Sequence, residues 1–146
     1  AREFSPAGSW YKGDAAASCI FEMAGGEVFT YAGSWCSEGC NTSWNGDWRF
    51  VGEKGSMVYD HDGDPHGELV ARPADKGFFR PLKPLKVSAS PVRHLGMRGG
   101  LREMLAFLRT GKVPQTECHD NIKSLAMVFA AMESAAKGRP VPVRAM

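Results

Sequence analysis

The first half of the chain alternates apolar and polar residues with a period of two, which is the pattern of half-buried β-strands. The segment AAASCIFEM places Cys19, Phe21 and Met23 on one face. After the turn AGGE, the next segment places three aromatic residues on one face: Phe29, Tyr31 and Trp35. The glycines of AGGE tolerate the positive φ that a tight turn requires. These two segments are therefore predicted to form a β-hairpin.

Two further hairpins are predicted downstream. The segments WRFVG and SMVYD flank a turn in which Gly52 and Gly55 bracket two charged residues. The segments ELVAR and GFFRPLKPLKVS follow the polar turn HDGDPHG and form the third pair. Pro81 and Pro84 cannot donate a backbone hydrogen bond, so we expect the last strand to lie at a sheet edge or to be interrupted.

The apolar period becomes helical from about Arg98. The first helix has apolar residues at i, i+3, i+4 and i+7: Leu101, Met104, Leu105 and Leu108. It is predicted to end at Gly111, with Pro114 behind it. A second helix carries its apolar face on Ile122, Leu125, Ala126, Phe129 and Met132. We expect Thr116 and Asp120 to accept hydrogen bonds in its first turn, and Gly138 to end it.

Strands followed by helices predict an α+β fold. We expect an open, mostly antiparallel β-sheet of about six strands, with the C-terminal helices packed on one face. The other face, to which Tyr31 and Trp35 are available, is expected to meet a partner and to serve for dimerisation.

The size and composition favour one domain that spans residues 1–146. The chain has 146 residues, of which 43% are hydrophobic and 23% are charged, close to the average for globular proteins. No apolar run approaches the ~20 residues that span a bilayer. The N-terminal segment AREFSPAGSW lacks the basic start and apolar centre of a signal peptide. We therefore expect no membrane partner.

The charge is unevenly distributed, although its net value is only +2. Residues 1–71 carry a net charge of −7, residues 72–112 carry +8, and residues 113–146 carry +1. The basic block could attract an anionic ligand or nucleic acid, with an affinity that falls steeply with salt. Its basic residues stand singly among prolines and apolar residues, however, which favours strands that lie beside acidic strands. We therefore expect no nucleic-acid partner.

The four cysteines do not form a recognisable metal or redox motif. Cys36 and Cys40 are four residues apart in a Gly-Asn-Ser loop, whereas zinc sites and redox dithiols commonly use CxxC spacing. Cys118 and His119 lie far downstream. We predict no metal site, and the cysteines are typical of reduced thiols in a cytoplasmic protein.

The polar stretch DHDGDPHGE has the appearance of a cation-binding loop. An EF-hand loop that began at Asp60 would need Gly at position 6 and Glu at position 12, but Pro65 and Ala71 stand there. A polar hairpin turn is therefore predicted instead. Among the histidines, His94 is the strongest candidate for a role, because it stands beside Arg93 just before the first helix.

The order of these motifs resembles the C-terminal domain of the glucose-fructose oxidoreductase/inositol dehydrogenase/MocA family. The resemblance rests on YAGSW, WRFVGEKGSM, LREMLAFLRTGKVP and HDNIKSLAMVFAAMESAAKGRPVPV, and it covers nearly the whole chain. The ending is the most specific part, with these residues: Asp120, Ser124, Leu125, Val128, Ser134, Ala135, Gly138, Arg139, Pro140 and Val141.

The resemblance implies that a nucleotide-binding domain precedes this one in the whole protein. Family members begin with a Rossmann domain that binds NAD or NADP and carries a catalytic lysine in a Glu-Lys-Pro segment. An Asp and a His of the second domain complete the acid-base set. The present sequence has no Glu-Lys-Pro and no GxGxxG after a strand. We therefore expect a fragment without catalytic or cofactor-binding residues, inactive alone.

The resemblance also implies where a substrate would bind. In the family, the loop that precedes the VGE-x-G strand runs beside the sugar or polyol. That loop contains Glu38, Asn41, Thr42 and Trp44, which offer an indole for stacking on a sugar ring and polar groups for its hydroxyls. Together with His94, these residues are the predicted substrate-binding set. Asn45 of the same loop also offers an amide to the ring hydroxyls. Trp35 and Trp48 belong to strands and are expected to pack.

The parent protein is thus expected to be a cytoplasmic NAD(P)-dependent dehydrogenase or reductase of a sugar, inositol or related polyol. This segment would form one wall of the substrate pocket, contact its own Rossmann domain, and form a homodimer or tetramer through the open sheet face. A stand-alone binding or assembly module without catalytic activity is the alternative.

Overall fold

The computed structural model describes residues 1–5, 8–74, 76–87 and 94–144. Within these ranges the chain forms seven strands and two helices. The strands are β1 Arg2–Phe4, β2 Ala16–Glu22, β3 Val28–Ser34, β4 Trp48–Gly52, β5 Gly55–Tyr59, β6 His66–Val70 and β7 Leu82–Leu85. The helices are α1 Gly96–Thr110 and α2 Cys118–Lys137. All strand pairs are antiparallel, so the predicted α+β class is confirmed.

The chain divides into two compact units. Unit 1 comprises Ala1–Glu38 and Arg93–Met146, and unit 2 comprises Gly39–Val92. Among the described residues, unit 1 holds a sheet of order β1-β2-β3, and unit 2 holds a sheet of order β4-β5-β6-β7. The strands thus form two sheets where one was expected, since among the described residues none of β1–β3 pairs with any of β4–β7. The assignment of residues 1–146 to a single domain stays a prediction.

In unit 1 the predicted first hairpin is confirmed, and an unpredicted strand is added to it. β2 pairs with β3 around the turn that Gly26 closes, with its N–H bonded to the Met23 carbonyl at 2.9 Å. Phe21 and Phe29 face each other across the pair, with ring centroids 5.8 Å apart. β1 pairs with the other edge of β2. Three residues are too short a run to show a period, which explains why the sequence pattern missed β1.

Helix α2 packs on β1 through small side chains. The buried residues of α2 are Ala126, Ala130 and Ser134, spaced four apart on one stripe. The Ser134 hydroxyl accepts from the backbone nitrogen of Ala1 and donates to the Arg139 carbonyl, both at 2.9 Å. Except for Ala126, the apolar face predicted for this helix stays about half exposed. Small residues are buried here because a strand backbone approaches the helix closely.

Helix α1 ends as predicted but buries none of its residues. Gly111 adopts the left-handed conformation with φ 73° and bonds its N–H to the Phe107 carbonyl. The apolar stripe that predicted the helix remains accessible, and Leu108 is 70% exposed. Neither helix in the described part of the chain combines the length and apolar character that crossing a bilayer requires.

In unit 2 the second and third predicted hairpins are both present. Gly52 pairs with Gly55 around the two-residue turn between β4 and β5. Gly55 is required sterically, because a Cβ there would lie 2.0 Å from the Glu68 carbonyl oxygen of the neighbouring strand. The polar turn between β5 and β6 is confirmed by the pairing of Val58 with His66.

The last strand, β7, lies at the sheet edge, as the prolines predicted. Ala71 N–H bonds to the Pro81 carbonyl at 2.8 Å, which makes that position a hydrogen-bonded pair. Hydrogen-bonded and non-hydrogen-bonded pairs alternate along an antiparallel ladder. Pro84, paired with Glu68, therefore occupies a non-hydrogen-bonded position and turns its nitrogen away from β6.

Candidate functional site

The best-defined polar arrangement in unit 2 joins two loops through the carboxylate of Asp62. Its Oδ1 accepts hydrogen bonds from Asn45 Nδ2 at 2.7 Å and from Ser43 Oγ at 2.9 Å. The same oxygen accepts from the Tyr59 hydroxyl at 3.0 Å. The segment 43–47, called here the Trp44 loop, is thereby fastened to the turn that connects β5 with β6.

The partner segment, residues 60–63 and called here the Asp62 turn, has the geometry of a type I′ turn. His61 and Asp62 have φ angles of 49° and 56°, and Gly63 N–H bonds to the Asp60 carbonyl at 2.8 Å. Asp and His are among the few non-glycine residues that tolerate this conformation. His61 N–H also donates to Asp47 Oδ1 at 3.1 Å. The two loops therefore hold each other by bonds in both directions.

Trp44 occupies the middle of this braced loop and is 91% exposed. The two residues that flank it in sequence both donate to Asp62, and the Asn45 N–H also bonds to Ser43 Oγ at 3.1 Å. On the C-terminal side, Trp48 Nε1 donates to the Asn45 carbonyl at 2.8 Å. The indole of Trp44 is consequently presented to solvent by a loop whose backbone is fixed on both sides.

The charge of Asp62 is stabilised by its neighbours. The hydrogen bonds from Asn45, and then those from Ser43 and Tyr59, lower the pKa of the Asp62 carboxyl below its ordinary value. The hydrogen bond to Asp62 correspondingly raises the pKa of the Tyr59 phenol. At neutral pH the aspartate is therefore the acceptor and the tyrosine is the donor.

The five predicted substrate-binding residues fall in different parts of the chain. Asn41, Thr42 and Trp44 lie close together in sequence in unit 2, and all three are exposed. Glu38 is exposed and His94 half-buried, and both belong to unit 1. Within unit 2, the structure brings Trp44 together with residues that the sequence reasoning had not selected.

Ser43, Tyr59 and Asp62 are those additional residues, and they are joined by Asn45, whose amide the sequence had suggested for a ligand and which here bonds to Asp62. The sequence signal was present in the stretch DHDG, whose aspartates and glycine are typical of turns. A turn prediction does not reveal which distant loop the aspartate contacts, however. The connection between residues 45 and 62 depends on the pairing of β4 with β5, which only the folded sheet supplies.

One face of the unit 2 sheet is mostly apolar. The strand register places one charged residue, Lys83, on this face beside six large apolar or aromatic residues: Trp48, Phe50, Met57, Tyr59, Leu69 and Leu85. Trp48 and Phe50 stack with centroids 6.1 Å apart. An open depression of about 470 Å³ lies over Phe50, Met57, Leu69 and Leu85. We call this surface the apolar sheet face.

A second polar cluster lies at the start of α2. The ligand atoms of Glu117, Cys118 and His119 lie within 4.8 Å of one another. Both carboxylate oxygens of Glu117 already cap the helix, accepting from Asp120 N–H at 2.6 Å and His119 N–H at 3.0 Å. The His119 side chain, followed by these backbone groups, lowers the pKa of Glu117. The arrangement thus serves the helix N-terminus, with Glu117 in the capping role predicted for Thr116.

All four cysteines are free. Cys36 and Cys40 fall in different units, and Cys40 has a positive φ of 46°. Cys36 lies near Ser34, whose Oγ accepts the Cys36 N–H at 3.2 Å. Cys19 is 5% exposed and belongs to the core of unit 1.

Comparison with known proteins gives one informative match. No family model matches the chain, and no solved structure matches it. The chain is 29% identical over 148 residues to a protein named "Uncharacterized protein y4oX" from Sinorhizobium fredii (strain NBRC 101917 / NGR234). The alignment covers 99% of this chain and 40% of that protein. The chain therefore spans less than half the length of the curated relative that it matches.

Proposed function

We propose that this chain is the C-terminal substrate and oligomerisation domain of an NAD(P)-dependent oxidoreductase of the glucose-fructose oxidoreductase/inositol dehydrogenase/MocA type. The parent enzyme acts on a sugar, an inositol or a related polyol. Its nicotinamide cofactor, NAD or NADP, is bound by a separate Rossmann domain that contacts this one. The present segment supplies one wall of the substrate pocket and is inactive alone.

The observation that carries the proposal is the braced and exposed Trp44. An indole held in place by its flanking residues offers a flat apolar surface on which the C–H face of a sugar ring can stack. The exposed amide of Asn41 and hydroxyl of Thr42 stand three and two residues before Trp44 in sequence, and both suit the ring hydroxyls. This combination favours a neutral polyhydroxylated ligand over an anion.

Two further observations support the proposal. The α+β arrangement of antiparallel strands followed by two helices is the architecture that the sequence resemblance implies. The curated relative is about two and a half times as long as the region it shares with this chain. That length leaves room for a nucleotide-binding domain in a protein of this kind.

The same proposal assigns the apolar sheet face to the contact between protomers. Phe50 is 49% exposed at the depression, and a two-fold interface would bury such a surface against its copy. We place the protein in the cytoplasm, since four free thiols are typical of a reducing compartment.

The test compares this chain with the protein extended upstream through its natural reading frame. NADH fluorescence is titrated with each, followed by a polyol screen with NAD and NADP. We expect only the extended protein to bind NADH and to oxidise a polyol. Tight binding of NADH by the present chain would contradict the division of roles, and binding by neither would reject the oxidoreductase.

A stand-alone binding or assembly module is the second candidate. The observation that favours it is the amount of apolar surface on α1 and on the apolar sheet face, which suits assembly without any catalysis. In that case, the extended protein binds no NADH and the present chain self-associates or binds a partner.

A further inference from the structure

We propose that Asp62 is the positioning residue of the Trp44 loop, and that carbohydrate binding at Trp44 depends on its carboxylate. The inference rests on the proposed substrate site and assigns a role to a residue outside the predicted binding set. Asp62 need not touch the ligand, because it acts through Ser43 and Asn45.

Two hydrogen-bond donors converge on the carboxylate of Asp62. Ser43 and Asn45 stand on either side of Trp44, and both side chains donate to Asp62 Oδ1. One acceptor atom, on a different segment of the chain, thus binds both neighbours of Trp44. Removal of that oxygen releases both flanking side chains at once.

The carboxylate of Asp62 is itself held in place by the turn and by the strand before it. Asp62 lies in the type I′ turn that follows β5, and Tyr59 at the end of that strand donates to the same oxygen. His61 N–H returns a bond to Asp47 at the far end of the loop. The carboxylate is therefore fixed relative to the sheet. Its hydrogen bonds to Ser43 and Asn45 fix the Trp44 loop relative to the same sheet.

A Trp44 loop with several conformations would bind a ligand less tightly. A ligand that requires one loop conformation binds with an apparent affinity reduced by the population of that conformation. If the loop without Asp62 adopts the braced conformation about one tenth of the time, affinity falls about tenfold. The indole itself would remain intact, so the loss arises from positioning alone.

The test uses the 146-residue chain labelled with 5-fluorotryptophan, whose four tryptophans give four fluorine resonances. Trp44→Phe assigns the Trp44 resonance. Asp62→Ala removes the acceptor, and Asp62→Asn restores an oxygen acceptor without the charge. Asp64→Ala is the matched control, because it removes an exposed carboxylate from the same connection, one that accepts no hydrogen bond among the described residues. Resonances of Trp10 and Trp35 report on unit 1.

The first readout needs no ligand. We expect Asp62→Ala to shift and narrow the Trp44 resonance, while Asp62→Asn and Asp64→Ala leave it near the wild-type position. The resonances of Trp10 and Trp35 should stay unchanged in all variants. A folded Asp62→Ala protein, verified by protected amides in β5, with an unmoved Trp44 resonance would overturn the proposal.

The second readout titrates each protein with myo-inositol and with D-glucose. We expect the wild-type Trp44 resonance to respond to at least one sugar, with affinity about tenfold weaker in Asp62→Ala and recovered in Asp62→Asn. Unchanged affinity in Asp62→Ala would overturn the dependence on Asp62. If neither sugar changes the wild-type Trp44 resonance, carbohydrate binding at Trp44 is rejected. A shifted Trp44 resonance in ligand-free Asp62→Ala would in that case still support the positioning role of Asp62.

Discussion

Trp44 is a large apolar residue that the fold leaves exposed. An indole is among the largest apolar side chains, and most tryptophans bury much of that surface. Here the flanking residues are fixed and the indole remains in solvent. The family resemblance suggested a binding role for this tryptophan, which stays a prediction, but nothing in the sequence indicated the hydrogen bonds that join its neighbours to Asp62.

Replacement of Trp44 by Ala should raise the KM of the full-length parent for its polyol about tenfold, with kcat nearly unchanged. The reason is that stacking on the C–H face of the ring contributes about equally to the binding of the ground state and of the transition state. Steady-state kinetics with saturating cofactor measure both constants. Trp10→Ala, another exposed tryptophan, is the control, and an unchanged KM in Trp44→Ala would remove the stacking role.

The ionisation of Asp62 should make the stability of unit 2 sensitive to acid. The folded-state pKa of Asp62 is lowered by hydrogen bonds from Asn45, Ser43 and Tyr59. The charge therefore contributes fully to stability above the unfolded pKa, about 4, and this contribution is lost as the pH falls through the folded value. Urea unfolding followed by tryptophan fluorescence should show that the wild type loses stability between pH 6 and pH 2. An equal loss in Asp62→Asn, which keeps the oxygen acceptor but carries no charge, would assign the effect to another group.

At the scale of elements, the sequence predicted which segments form helices and strands, and where they end, better than it predicted which of their residues are buried. The left-handed caps at Gly111 and Gly138 and the turn at Gly52–Gly55 follow from local backbone chemistry, which a sequence displays directly. The buried stripe of α2 was not predictable in this way. Its small residues are buried because β1 lies against them, and β1 is joined to α2 only in the folded unit.

The N-terminus of α2 provides a test of this distinction. Glu117→Ala should lower the thermal midpoint by a few degrees, because two backbone N–H groups lose their acceptor. Thr116→Ala, at the position expected to cap, should leave the midpoint unchanged. Circular dichroism at 222 nm measures both. The reverse order of effects would mean that Thr116 caps the helix in solution.

Strand pairing in unit 2 depends on a glycine at position 55. Gly55→Ala should destabilise the unit by about 3 kcal/mol, because its Cβ would overlap the Glu68 carbonyl oxygen. Gly52→Ala, where the nearest atom is 3.7 Å from the new Cβ, should cost less than about 1 kcal/mol. Urea unfolding measures the free energy of unfolding of each variant, provided that its dependence on urea concentration is the same in all of them. Equal midpoints would show that the strands separate readily to admit the methyl group.

For the whole molecule, the sequence predicted the class of fold but not its division. Alternating strands followed by helices indicate an α+β protein whatever the number of sheets. The sequence between β3 and β4 indicates a long turn. It does not indicate whether the strands before and after that turn pair with each other, and in the structure they belong to separate sheets. Predicted substrate residues consequently fall on both sides of the division.

The oligomeric state should depend on the apolar sheet face. Phe50→Glu should convert a dimer to a monomer in sedimentation velocity, because a charge at the depression opposes burial. Val51, 73% exposed on the next position of β4, points to the opposite face by the strand period. Val51→Glu should therefore leave the dimer intact. A Phe50→Glu dimer as stable as the wild type would exclude this face from the interface.

Pro84 limits what can attach to the outer side of β7. An exposed strand edge normally offers alternating donors and acceptors to an incoming peptide or to a growing fibril. Along this edge the outward positions are Leu82 and Pro84, so one of the two donors is missing. Strand addition at β7 would leave an acceptor of the newcomer without a partner. Edge-to-edge growth of copies of the chain is therefore disfavoured on this side of the sheet.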